Sequence, residues 1–416
     1  MGRQLTLPLF VGTLVATWYG GIFGVTQIAF EKGVYNFVTQ GAFWYLSYLV
    51  FAFFLVDRIH AFKAVTLPDL VSKMFGPKSA KLSAFFNFFN VLPIAYCISV
   101  GLFLQLIFGG GLFLNTFIGT SLVLIYSLFG GLRSVVISDM VQFFVMCSSV
   151  LIVLLLSIST FGHWEFLKTN LPSQHFSILG GENPSTLIIW GFIALSTLVD
   201  SNFYQRCFAA KSPDVAKKGI LVSTVIWLIF DLCTTFGAMY AKAVIPEADS
   251  QYAYLTYAVQ LLPPGVRGFF LAGILATILS TLDSYLFVAG STVSYDLKSE
   301  NQSFSRTRYR LGTLFCALMA IALSTIFDGQ IEKVWKLLGS YSAACLLLPI
   351  MVGHIFPGKL NDNSFFTSSI FGVVAITIWE FAPIPQSLLV IDSFYVGLIA
   401  TGSSILLNFE KKPLKA

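Results

Sequence analysis

ATWYGGIFGVTQIAF, residues 16 to 30, is the stretch that decides the fold. It is apolar enough to lie inside a bilayer, yet Gly20, Gly21 and Gly24 fall in its middle beside Thr17, Thr26 and Gln27. A glycine inside a helix costs about 1 kcal/mol relative to alanine, so this composition weakens a continuous helix and predicts an unwound segment. A second reading is that the glycines only let another helix approach closely.

The rest of the chain fixes the setting. Of its 416 residues, 56% are apolar and 11% charged, and the mean hydropathy is +0.80. A soluble domain is about a quarter charged, so a soluble enzyme is excluded. A crossing needs roughly 20 apolar residues, and irregular backbone cannot face lipid, so the chain must fold as an all-α polytopic bundle. The short alternating segments of a barrel do not occur.

Apolar runs near 7 to 30, 39 to 56, 81 to 108, 111 to 129, 134 to 160, 185 to 205, 219 to 245, 264 to 293, 309 to 327, 333 to 355, 364 to 381 and 387 to 408 give twelve helices. They form one transporter-sized domain over 1 to 408, followed by a short tail over 409 to 416. The first run starts almost at Met1 but is too long for a signal peptide and lacks a small-residue cleavage pattern, so it is read as retained. The six cysteines lie in or beside apolar runs with no metal-type spacing and are read as reduced packing residues.

The sixth run carries Asp200, Ser201 and Asn202 shortly before Tyr204, Gln205 and Arg206. Two polar interruptions, in helices 1 and 6, are five crossings apart. That spacing is expected of two inverted five-helix repeats, about 7 to 160 and 185 to 355, each opening with a broken helix whose freed ends form a midplane site. The residues from 364 to 408 are then two additional helices. An interfacial end of helix 6 is the other reading of the polar cluster.

The net charge of +5 is an orientation signal. With the amino terminus inside, nineteen of the 25 basic residues fall in cytoplasmic loops or the tail, Arg206, Lys211, Lys217 and Lys218 among them. The positive-inside rule thus places both termini in the cytoplasm of a plasma (inner) membrane protein, and no nucleic-acid partner is inferred.

Helix 8 reads LATILSTLDSYLFVAGSTVSYDLKS, residues 275 to 299. Positions 277, 280, 281 and 284 share one helical face, which presents the oxygens of Thr277, Ser280, Thr281 and Ser284 as hard neutral ligands suited to a small monovalent cation. Hydroxyls bonding back to the preceding turn are the alternative. Asp200, Asp231 and Asp283 lie deep in apolar runs, where a charge costs about 2.5 to 3.5 kcal/mol, so each should face the bundle interior. Asp200, Ser201, Asn202, Gln27 and Ser340 are cavity candidates, with Asn87, Asn90 and Tyr96 as further wall positions or interhelical hydrogen bonds. An acid-rich cavity hints at a solute with a cationic group, and no lysine or arginine is expected deep in helices 1, 3, 6, 8 or 10.

STLDS followed by SYDLKS resembles the eighth core helix of the sodium/solute symporter family. GGLRSVVISDMVQ (130 to 142), TLPDLVSKMFG (66 to 76) and FYQRCFAAKS (203 to 212) are similar, in the right order, to that family's entry into core helix 5, its loop between core helices 2 and 3, and its exit from core helix 6. The resemblance spans the ten core helices. It implies a leucine-transporter-type fold and a coupling sodium, with no other cofactor, held by the carbonyls of Ala16, Tyr19 and Thr277 and the hydroxyls of Ser280 and Thr281. It also implies that Asp139 assists sodium release near the cytoplasmic mouth. An alternative for Asp139 is a helix-start carboxylate paired with Arg133, and Asp283 is either an outer support of the sodium ligands or an internal bridge. Family members usually carry an extra helix before the core, whereas this chain opens at the short loop that would follow it.

The expected function is sodium-coupled symport of a small organic solute by alternating access, with lipid, sodium and solute as partners and no obligate protein partner. A proton-coupled carrier of the same fold is the alternative, and a transporter-like sensor a lesser one. An enzyme is not expected, because the four histidines lie in loops or at helix ends without a catalytic motif. Single cysteines replacing Lys211 or Lys217 should react with an impermeant maleimide from the cytoplasmic side only; labelling from outside would overturn the orientation.

Overall fold

The computed structural model describes residues 4–129, 131–297, 305–383, 385 and 391–409. Arg3, Gly130, Lys298, the tail lysines and part of the run expected at 387 to 408 lie outside them. The described residues form a helical bundle with nine helices of membrane-spanning length and composition, and three shorter apolar ones at Leu7–Ala16, Leu112–Ser127 and Ser393–Leu407.

The first crossing starts at Leu7, with proline in its first turn, and ends at Ala16. Residues 17 to 21 are not helical, and the helix resumes over Ile22–Lys32. The unwinding expected from the glycines is therefore present. The sixth crossing breaks in the same way. Pro184–Ala194 runs into a tightened turn over Leu195–Val199, Asp200 is extended, and Ser201–Ala209 is helical again. Asp200 makes that restart possible by accepting from the amides of Asn202 (2.8 Å) and Phe203 (3.0 Å), two of the unpaired donors at a helix start.

A third interruption departs from the sequence reading. The run expected as one helix at 81 to 108 is two, Pro77–Asn90 and Ile94–Phe108. Pro93 has no amide to donate and disfavours helical geometry at Leu92, so the helix stops and restarts there.

The fifth crossing, Leu132–Phe161, packs along the eighth, Pro264–Ser291, and the first half of the first crossing lies against the fifth and the seventh, Pro213–Val244. The third and eighth crossings bury 67% of their apolar windows and the sixth and tenth 61%, against 28% for the fifth and 33% for the eleventh. The broken helices thus sit among the inner elements, while exposed Val141, Phe144, Leu155, Phe371 and Ile378 turn their apolar side chains outward, as lipid contact requires. Leu5 fastens the start of the chain to the exit of the sixth crossing: its amide donates to Ala209 O (3.0 Å) and its carbonyl accepts from Lys211 N (3.0 Å).

Arg206 corrects two sequence readings. The charge count placed it in a cytoplasmic loop, and no cation was expected deep in helix 6. The helix runs on to Ala209, so Arg206 lies inside it, 1% exposed. The loop count loses one residue and keeps its bias.

Gly20 allows the unwound segment to touch the eighth crossing, since a Cβ there would sit 2.5 Å from Thr281 Cβ. Gly20→Ala should lower the thermal midpoint in detergent, at a cost of about 1–3 kcal/mol. Gly265→Ala, where a Cβ meets nothing within 4 Å, should leave it unchanged. Equal midpoints for both variants would contradict this packing.

Candidate functional site

Because the first helix ends at Ala16, the carbonyl of Ala16 has no amide one turn further on. Two hydroxyls from the eighth crossing meet that end. Ser280 Oγ donates to Ala16 O at 2.7 Å and Thr281 Oγ1 at 3.3 Å, and both also reach Thr277 O at 3.1 Å. All four residues are fully buried. The Thr277 hydroxyl turns back to Gly273 O (2.8 Å), so Thr277 offers the site its carbonyl. Four neutral oxygens therefore converge at the carboxyl end of a half-helix, where the backbone dipole is negative. This donor set fits a small hard cation that needs no anionic ligand. Tyr19 lies in the same break, its ring 4.2 Å from that of Phe230.

One turn towards the chain start from Ala16 lies a charged cluster. Arg206 and Asp139, 1% and 0% exposed, pair at 3.6 Å. Thr13 Oγ1 donates to Asp139, and Arg206 donates to Thr13 Oγ1 (3.3 Å), Thr17 Oγ1, Ser284 Oγ (2.9 Å) and the Asn202 carbonyl (3.4 Å). The first, fifth, sixth and eighth crossings are thereby tied together. Arg206 takes the place that the sequence reading offered to Arg133 as partner of Asp139.

On the other side of Ala16, between the breaks, lies a cavity of about 130 Å³. Trp18, Tyr19 and Gly21 line it from the first break, Asn90 and Tyr96 from the third, Thr197 and Asp200 from the sixth, and Tyr285 and Trp335 from the eighth and tenth crossings. Asp200 Oδ2 accepts from Tyr285 Oη at 3.4 Å.

The remaining expected site residues are placed as follows. Ser201 donates to Asn87 Oδ1, which makes Asn87 an interhelical bond, and Asn202 faces Arg206. Neither lines the cavity. Gln27 turns away from it, donating to Glu31 (3.0 Å) and Ser250 (3.3 Å). Ser340 donates back to Lys336 O (2.8 Å), and its neighbour Gly339 lines the wall instead. Asp283 accepts from Ser127 on the fourth crossing, away from Ser280 and Thr281, so the internal bridge is the reading its contact favours. The sequence reading missed Arg206, Thr13 and Trp335. For Arg206 a signal existed, because Cys207, Phe208, Ala209 and Ala210 continue the apolar run beyond it.

Residues 2–372 match the sodium:solute symporter family. The osmoregulated proline transporter OpuE of Bacillus subtilis is 26% identical, the match covering 91% of this chain and 81% of that one. The sodium/pantothenate symporter of Haemophilus influenzae is 25% identical over 70% of this chain and 66% of its own, and the sodium/glucose cotransporter of Vibrio parahaemolyticus 24% identical over 74% and 64%. Among solved structures, a Na+-coupled sialic acid symporter in a substrate-bound outward-open state superposes with a TM-score of 0.77 at 14% identity, covering 98% of this chain and 89% of that one. MHP1, a nucleobase-cation-symport-1 family transporter, gives 0.56 at 14% identity over 98% and 92%. The fold is that of these transporters, the leucine-transporter type.

Removing one partner of the buried pair should be costly. Asp139→Asn or Arg206→Met alone should lose about 3–5 kcal/mol, while Asp139→Asn with Arg206→Met should cost less than the sum. Additive losses in thermal unfolding would contradict a coupled pair.

Proposed function

The chain belongs to the sodium:solute symporter family, and from that premise we propose that its coupling sodium is held by the carbonyls of Ala16, Tyr19 and Thr277 and the hydroxyls of Ser280 and Thr281. As a member it is a sodium-coupled secondary transporter that imports small solutes and not an enzyme. The observation that carries the site is the convergence of the Ser280 and Thr281 hydroxyls on Ala16 O, at 2.7 and 3.3 Å, where the first helix stops.

A cation bound there joins the first crossing to the eighth, beside the cavity that takes the solute. Sodium binding raises solute affinity because both ligands favour the same arrangement of the two crossings, and the coupling is reciprocal, typically about 1–3 kcal/mol. With both termini in the cytoplasm of the plasma membrane, the Asp139–Arg206 cluster closes the inner side of the site. Rocking of the bundle separates its four crossings, and Asp139 then draws sodium inward. The whole of 1 to 408 acts as one unit, with 7 to 160 and 185 to 355 as repeats and two additional helices over 364 to 408.

Proton coupling is the second reading. Asp231, 2% exposed, accepts from Tyr45 while its other oxygen has no hydrogen-bond partner, the setting of an acid that takes up a proton. Ser280→Ala and Thr281→Ala should each raise the sodium needed for half-maximal uptake by about tenfold, the loss of roughly 1.4 kcal/mol, with expression intact. Unchanged sodium dependence in both variants would sink the site, and loss of uptake in Asp231→Asn alone would favour the proton.

A further inference from the structure

The cavity between the breaks has one charged wall. Among the described residues that line it, Asp200 is the only ionisable acid, and there is no lysine, arginine or histidine. The Asp200 carboxylate faces in two directions. Oδ1 holds the amides of Asn202 and Phe203 at a helix start, where negative charge is favoured, and Oδ2, towards the cavity, has a single long bond from Tyr285 at 3.4 Å. The Tyr285 ring stands edge-on to Tyr96, centroids 4.7 Å apart. Trp18, Trp44 and Trp335 complete an aromatic wall.

Three residues that line the cavity each carry a buried polar atom with no hydrogen-bond partner: Tyr19 Oη, Thr197 Oγ1 and Gln40 Nε2. Tyr19 and Thr197 are 5% and 1% exposed. Buried polar atoms are almost always paired, so unpaired ones beside a cavity mark where a ligand completes them. Each of the three carries a hydrogen it can donate. Tyr19 also belongs to the break that begins at Ala16, so this end of the cavity adjoins the sodium site.

These observations discriminate between solute classes. A simple carboxylate would place its charge beside the Asp200 carboxyl group with no basic side chain in the lining to meet it. A polyol leaves Asp200 without a countercharge. A simple organic cation satisfies Asp200 and the rings and leaves the three donors unpaired. We propose that the transported solute is a compact zwitterion, with its ammonium group between Asp200 Oδ2 and the rings of Tyr96, Tyr285 and Trp335, and its carboxylate on Tyr19, Thr197 and Gln40. This deepens the reading of the cavity as the solute site beside a coupling sodium. The sodium draws the carboxylate end of the solute, which is how one ion and one neutral molecule reinforce each other.

The test is the thermal shift of the purified full-length protein in sodium or potassium, with L-proline, glycine betaine, choline, D-glucose or D-lactate as probes. At least one of the two zwitterions should stabilise the protein in sodium, and the other three probes should not. Asp200→Asn, which keeps a side chain able to cap the helix, should weaken that probe by at least about 30-fold while the shift from sodium alone persists. Stabilisation by choline, glucose or lactate, no response to either zwitterion, or an unaltered response in Asp200→Asn would each overturn the proposal. A zwitterion that binds equally in potassium would leave the solute class standing and remove the sodium reading.

Discussion

The carbonyl of Ala16 is the constraint on which the rest of the structure depends. A helix that stops inside a bilayer exposes carbonyls that neither water nor lipid can satisfy. Here Ser280 and Thr281 supply the missing donors from another crossing. That contact requires the eighth crossing to come close, which Gly20 permits by having no Cβ to meet Thr281. The pairing is polar, buried and replaceable. In the proposed site a cation takes over the carbonyls and turns the hydroxyls into ligands.

The ion pair of Arg206 and Asp139 answers a second cost. Two charges buried at 1% and 0% exposure lose several kcal/mol of hydration each, which their attraction repays only with further hydrogen bonds. Thr13, Thr17, Ser284 and the Asn202 carbonyl provide those bonds. Because these groups and the pair itself come from four crossings, the pair is satisfied in one arrangement of the bundle. An element with that property suits a gate, since motion of any one crossing leaves charged groups unpaired.

Much of this was legible in the sequence for a physical reason. Glycines at 20, 21 and 24 and the polar run from Asp200 to Asn202 stand out because a bilayer tolerates neither without purpose. The hydroxyl face of residues 277 to 284 follows from helical spacing alone. What escaped depends on direction. Arg206 was counted with a loop because charge near a run's end usually marks one, and only the third dimension brings Asp139 to it. Gln27 and Ser340 lie on the right crossings but face Glu31 and the Lys336 carbonyl, and an apolar helix carries too little periodicity to fix rotation. The break at Pro93 escaped because a proline is tolerated within a membrane helix without ending it.

The central claim is that sodium binds where the first helix stops. Trp18 lies in that break and also lines the cavity, so the tryptophan fluorescence that is lost in Trp18→Phe, which sets aside the other six tryptophans, reports on it when the purified protein is titrated with sodium at constant ionic strength against potassium. A saturable change with sodium and none with potassium is the predicted result. The same change with both ions, or no change with either, would contradict the account.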